Sequence, residues 1–225
     1  MIDAHVFKPI DLACAMSLSP EARSSITRAV EAAESVCGAE VVVVGYVRAD
    51  GYLDTAFRNA LVGALLALAL VLMVPVEVHH DLVFPIVAVT AVGLFWLTRL
   101  TAVAKLTTLA ARKAMAVEAA TTQAFFSRGV HKTRERVGLL IVWFDLEESV
   151  RVVFDTGLEA RVPRDVRARL THDVVAACGN PDRRAEAIAA VGAVLAPFVP
   201  RGENDVDELA NAPTIGRSDQ VGGGA

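Results

Sequence analysis

His131 to Val137 reads His-Lys-Thr-Arg-Glu-Arg-Val, placing an imidazole, a hydroxyl and two guanidiniums immediately before an apolar run. Imidazole exchanges a proton near neutral pH, and a guanidinium can grip a phosphate through two parallel N–H donors. His131, Thr133, Arg134 and Arg136 therefore suit an anionic or phosphate ligand. The same residues serve equally well as a solvated basic loop near anionic headgroups, or as hydrogen-bonding groups that shape the loop itself. Downstream, Asp155-Thr156-Gly157 follows a short strand pattern. Ligands of open α/β sheets favour strand carboxyl ends, and a hard cation such as Ca2+ or Mg2+ requires oxygen ligands. The candidate catalytic residues are thus His131, Arg134 and Asp155, with Asp155 also the candidate metal ligand. One carboxylate is no cation cage. A turn Asp followed by a Gly with a special backbone angle accounts for the same residues.

Other chemistry-bearing residues are scattered. Asp145, Glu147 and Glu148 lie in the turn before the strand that leads to Asp155, at its opposite end, so one site using all four carboxylates is not expected. Glu77, His79, His80 and Asp81 are metal-type donors packed into one short turn, where solvation is the simpler reading. Cys14, Cys37 and Cys178 show neither CxxC nor Cys/His spacing and read as small apolar residues in a reducing compartment. Walker, GxGxxG, GxSxG, HExxH and EF-hand spacings are all absent.

The elements that must position these groups follow from periodicity. Ser19 caps and Pro20 opens a helix whose apolar positions are Ala22, Ile26, Ala29, Val30 and Ala33, with Gly38 as its stop. Glu40 to Val47 contains four consecutive valines and reads as a central strand covered on both faces. Thr101 to Phe126 reads as helical and could continue an apolar run before it. Met115, Ala119, Thr122 and Phe126 share one of its faces, and Gly129 ends it. Gly138 to Phe144 and Ser149 to Phe154 are strands joined by a turn so short that they must pair antiparallel. Pro163 to Cys178 carries a stripe at Val166, Leu170, Val174 and Ala177. The helix capped by Asn180-Pro181 carries Ile188, Val191, Leu195 and Phe198 inward, and Pro200 closes it.

The chain has 225 residues, 54% of them hydrophobic, and a net charge of −4 from 22 basic and 26 acidic residues. That balance, without a Lys/Arg stripe interleaved with aromatics, excludes a generally basic nucleic-acid binder. The hydrophobic excess is concentrated in Ala60 to Thr98, where 29 of 39 residues are apolar and only Glu77 and Asp81 are charged. Two runs, Ala60 to Val76 and Leu82 to Thr98, are apolar all round and join through a turn too short for anything but an antiparallel hairpin, with spans at about 60–78 and 82–98. Each is near the length needed to cross a hydrocarbon core. Pro75 falls at the end of the first run, and Pro85 in the first turn of the second. The turn carries no Lys or Arg, whereas Arg48 and Arg58 precede the hairpin and Arg99, Lys105, Arg112 and Lys113 follow it. Both flanks are thus expected on the cytoplasmic side. The N-terminal stretch, with Asp3 and Asp11, does not read as a signal peptide.

Three stretches in order resemble the TPM domain family, in its bacterial membrane subgroup with a transmembrane hairpin inside the domain. They are Leu18-Ser19-Pro20-Glu21 leading on to Gly38-Ala39-Glu40-Val41-Val42-Val43-Val44, His131 through Val142, and Val150 through Leu158. The resemblance covers about two thirds of the chain. It implies a three-layer α/β/α sandwich on a small mixed sheet and a membrane-associated protein. For some relatives it also implies phosphatase activity or divalent-cation binding by acidic residues near strand ends.

The expected organisation is an N-terminal tail (1–16), a first domain part (17–54), a hairpin with flanks (55–113), a second domain part (114–200) and a disordered C-terminal tail (201–225). The expected function is a docking module for a protein partner or lipid headgroup at the inner membrane, multi-pass, with its soluble domain cytoplasmic. A membrane-bound phosphatase, divalent-cation dependent in one version, is the alternative.

Overall fold

The computed structural model describes residues 20–73, 79–178, 180–202 and 214–216. The N-terminal tail with Cys14, the Ser19 cap, Pro75, Glu77 and most of the C-terminal tail lie outside the described residues. The chain forms two compact units, Met1–Asp50 with Ala116–Ala225, and Gly51–Met115.

The first unit is a mixed α/β fold on a small mixed sheet. Its helices are α1 (Pro20–Val36), the second half of α5 (Ala110–Ser127), α6 (Thr156–Arg161), α7 (Arg164–Cys178) and α8 (Pro181–Leu195). Its strands are β1 (Glu40–Tyr46), β2 (Gly138–Phe144), β3 (Ser149–Phe154) and β4 (Thr214–Gly216), in the spatial order β3-β2-β1-β4. β1 runs parallel to β2, with Glu40 opposite Gly138 and Tyr46 opposite Phe144. β2 and β3 form the expected antiparallel hairpin, Phe144 opposite Ser149 and Leu139 opposite Phe154.

The composition of each strand matches its place. Every residue of β1 (EVVVVGY) and of β2 (GLLIVWF) is buried, as continuous β-branched and aromatic runs require of strands covered on both faces. β3 lies at the edge. There Val150 faces the core, Arg151 is exposed, and the Arg151 guanidinium donates to the Val150 carbonyl at 3.1 Å. A charge folded over the strand's own backbone blunts an edge that would otherwise recruit another strand.

One sheet face, with Val41, Val43, Leu139, Ile141 and Trp143, shares a core with Ile26, Val30 and Ala33 of α1, Leu170 and Val174 of α7, and Ile188, Val191 and Leu195 of α8. Val42, Val44, Tyr46, Leu140, Val142 and Phe144 on the other face are buried too, and the Tyr46 and Phe144 rings stack at 5.5 Å. The Arg128 guanidinium, just past α5, pulls the Tyr46 phenol towards its charged form. Burial still holds the phenol's pKa above its ordinary value against the pull of that guanidinium.

Two features of this unit depart from the sequence reading. Thr214–Gly216 falls in the tail expected to be disordered, yet it pairs in parallel with Val44–Tyr46. A strand edge offers N–H and C=O groups to any extended segment, and backbone pairing leaves no mark in side-chain composition. The stripe of Met115, Ala119, Thr122 and Phe126 does lie on one face of α5, but that face is outward, with Met115 and Phe126 62% and 57% exposed. The buried face carries Ala116, Val117, Ala120, Thr121 and Ala124. Small side chains seat this helix, and size rather than hydrophobicity selects its inner face.

The second unit holds two helices long and apolar enough to span a membrane, α2 (Leu53–Met73) and α3 (His80–Thr98). Asn59 donates to the Thr98 hydroxyl at 3.1 Å, and a Cβ on Gly63 would overlap Leu94. A step of four residues forward on α2 is thus a step of four back on α3, which is antiparallel packing, turn for turn. Away from this seam the helices leave apolar side chains uncovered: Leu66 is 65%, Leu72 75%, Phe84 80% and Val89 72% exposed.

α2 begins seven residues before the predicted run, because Leu53 to Asn59 is already helical beyond the apolar block. Pro85 is the sixth residue of α3 rather than part of its first turn. Its ring therefore removes the N–H that would bond the Asp81 carbonyl. The helix after the hairpin is not continuous. Leu100 (ψ 133°) and Thr108 (ψ 127°) are extended, and between them α4 (Thr101–Thr107) stands alone.

Candidate functional site

The β2–β3 hairpin brings the predicted Asp to the predicted basic stretch, but to a different arginine. With Phe144 opposite Ser149, the register runs out through Leu139 and Phe154 to place Gly138 beside Asp155 and Arg136 beside Gly157. The backbone continues that pairing past the strands. Asp155 N–H donates to the Gly138 carbonyl and Gly157 N–H to the Arg136 carbonyl, each at 2.9 Å. The Arg136 side chain then reaches back to the Asp155 carboxylate, Nε lying 3.1 Å from Oδ1 and 3.0 Å from Oδ2.

The Asp155 hydrogen bonds all fall on Oδ1, while Oδ2 is buried without a hydrogen-bond partner among the described residues. The Asp155 side chain is 1% exposed, and it caps α6 by accepting the Thr156 N–H at 2.7 Å and the Thr156 hydroxyl at 3.3 Å. Arg136 sits in the left-handed backbone region at φ 58°, an unfavourable conformation for an arginine that its three contacts hold in place. The special-angle reading of Gly157 is corrected. Its φ is not positive; a Cβ there would overlap the carbonyl oxygens of Glu135 and Arg136. Close approach of two backbones requires this glycine.

His131 and Arg134 are elsewhere. The expected charged loop begins as a 3-10 turn, Val130–Lys132, entered through Gly129 at φ 71°. The His131 ring packs 5.1 Å from that of Phe126 and 6.3 Å from that of Phe125, and its Nδ1 is buried without a hydrogen-bond partner among the described residues. The buried Thr133 hydroxyl donates to the Val130 carbonyl at 3.4 Å, which closes the turn on itself. Arg134 is exposed. No hydrogen bond or ion pair joins His131 or Arg134 to Asp155 among the described residues. Neighbouring charges pair off, Glu135 with Arg161 at 2.6 Å and Glu159 with Arg167 at 2.8 Å.

The residues present do not fit a divalent cation at Asp155. It is a single carboxylate with a guanidinium against it, and a hard cation needs several oxygen ligands and no adjacent cation. Among the described residues no three His, Cys, Asp or Glu side chains converge.

The opposite end of the sheet holds a second set of charges. Asp145 N–H donates to the Tyr46 carbonyl, and the buried Glu147 accepts the Ala49 N–H, both at 3.0 Å. Arg184 of α8 is buried with its guanidinium 4.9 Å from the Trp143 ring, donating to the Cys178 carbonyl at 2.8 Å and standing 4.0 Å from Asp145. Burial raises the Asp145 carboxyl to about 6, with Glu147 adding to the rise and Arg184 opposing it. Burial also pushes the Cys178 thiol up to about 11, which leaves it without thiolate reactivity. Sequence reasoning missed Arg184, though its position exposes it: it lies one turn before Ile188 on the inward stripe of α8, where a cation must find partners.

No family model matches the chain, and no curated protein is similar to it. Among solved structures it is similar to the NMR structure of the BA42 protein from the psychrophilic bacterium Bizionia argentinensis, with a TM-score of 0.54 and 16% identity over 89% of this chain and 97% of that one. At that identity the likeness is one of fold, and the shared fold is mixed α/β.

Proposed function

We propose that the protein is a multi-pass inner-membrane anchor carrying a TPM-type α/β domain of unassigned activity that docks a protein partner or lipid headgroup. One observation carries the anchor. α2 and α3 meet along the narrow seam of Asn59, Gly63, Leu94 and Thr98, while only 11% and 6% of their apolar stretches are buried. Water would penalise so much uncovered leucine, whereas hydrocarbon accepts it on every side. Trp96 and Phe57, 64% and 63% exposed beside Arg58 and Arg99, form an aromatic and basic belt at one end of the hairpin. That belt and the charge bias of the flanks support a cytoplasmic domain. The burial of both sheet faces, one of them beneath α1, α7 and α8, supports the sandwich that the family resemblance implies.

The commitment of Asp155 to Arg136 and Thr156 favours docking over phosphatase chemistry, which would need that carboxylate open to substrate or cation. The test is turnover of a generic phosphomonoester by the full chain in micelles, with and without Ca2+ or Mg2+. The expected rate is background and unchanged in His131→Ala. Turnover lost in His131→Ala and in Asp155→Asn, with circular dichroism unaltered, overturns the docking reading in favour of the phosphatase. For topology, a reporter fused after Ala225 should read cytoplasmic, and a periplasmic signal overturns the orientation.

A further inference from the structure

The segment after α3 combines exposed leucines with concentrated positive charge. Leu100, Leu106 and Leu109 are 57%, 86% and 61% exposed. Residues 51–115 contain five cations, Arg58, Arg99, Lys105, Arg112 and Lys113, all at the open end of the hairpin in sequence, and one acid at that end, Asp54. Arg112 takes that acid at 2.8 Å. The chain as a whole carries −4, so this end reverses the overall sign locally.

The backbone keeps the segment at the end of the hairpin. A continuous helix would carry Leu106 and Leu109 away along the α3 axis. Instead the extended Leu100 breaks the helix, and α4 packs back through the buried Ala104 against α2 and α3. Arg58 donates to the Thr107 carbonyl at 2.7 Å and Lys113 to the Lys105 carbonyl at 2.6 Å, so cations satisfy carbonyls left open by the helix break. Leu106, two residues on from Ala104, is turned outward.

Short amphipathic elements beside membrane spans, with leucines and basic residues together, lie in the headgroup layer. We propose that Leu100 to Lys113 is an interfacial element seated on an anionic leaflet. Leu100, Leu106 and Leu109 enter the acyl boundary, and Arg99, Lys105 and Lys113 meet lipid phosphates. The proposal rests on the reading of α2 and α3 as membrane spans. The occupant is a bilayer surface because these exposed leucines follow the uncovered apolar hairpin directly in the chain and the charge is complementary to anionic headgroups.

The test uses the full chain with Cys14→Ser, in which Cys37 and Cys178 are buried, reconstituted in nanodiscs of phosphatidylcholine with or without phosphatidylglycerol. An environment-sensitive fluorophore is placed by Leu106→Cys in one sample and by Leu65→Cys, at an uncovered position of α2, in another. Doxyl-labelled lipid is the quencher. The expected result is quenching of both labels, with the Leu106 label more quenched when phosphatidylglycerol is present. Lys105→Gln should weaken that anionic preference about fivefold, the share of one cation near an anionic surface. Quenching at Leu65 with water-like emission at Leu106 in both lipids overturns the interfacial element and leaves the spans standing. Equal quenching of Leu106 in both lipids overturns the anionic preference. Water-like emission at both positions overturns the membrane reading itself.

Discussion

Arg136 and Asp155 close the open end of the β2–β3 hairpin, guanidinium Nε to carboxylate Oδ2 at 3.0 Å, and the same carboxylate caps the helix that follows. One side chain thus fixes a sheet end, a loop and a helix start.

Asp155→Ala should destabilise the first unit by about 2–4 kcal/mol, since it removes a cap, a half-buried ion pair and a hydroxyl contact together. Arg136→Ala should cost less, about 1–3 kcal/mol, because Arg136 is half exposed and water screens part of its charge. Denaturant unfolding of both variants checks the order. If the wild-type midpoint rises with Ca2+ and falls with EDTA, Asp155 holds a cation and the structural role assigned to it fails.

The Asp145 carboxyl gives a pH dependence of definite sign. Burial raises its folded pKa from 3.8 to about 6, so between those values the folded chain keeps a proton that the unfolded chain has released. This contribution to stability is present at low pH, declines as pH rises through that window, and leaves a standing cost above it. Asp145→Asn should therefore be more stable than the wild type at neutral pH, by on the order of 1–2 kcal/mol, with the gap closing near about pH 4. Thermal melts of the two proteins across that range decide it, and a gap that widens on acidification contradicts the assignment.

Gly63 sets the spacing of the hairpin. Gly63→Leu should force α2 and α3 apart at Leu94 and cost about 1–3 kcal/mol, as overpacking does. Pairing it with Leu94→Ala should restore most of the loss, because the large and small partners then trade places. Unfolding in mixed micelles measures both. No rescue would place the seam elsewhere.

Much of this architecture is legible in residue order. The apolar block between Ala60 and Thr98, the β-branched run of β1 and the short turn at Asp145 to Glu148 each specify an element without help from the rest of the chain. The backbone frame of that site follows from counting as well: a tight hairpin with Phe144 opposite Ser149 places Gly138 opposite Asp155 and Arg136 opposite Gly157. The motif around His131 points instead to Arg134, because residue type alone does not distinguish arginines two positions apart.

The order of apolar, β-branched and turn residues by itself determined where helices, strands and the hairpin fall, since period and chain stiffness are local properties. Only the tertiary structure decided which arginine meets Asp155, which face of α5 turns inward, that Arg184 is buried beneath Trp143, and that three residues of a polar tail join the sheet. Each of these depends on two segments far apart in sequence reaching contact distance. Their partner choice is governed by packing room and by the backbone groups left to satisfy, neither of which any one stretch of sequence contains.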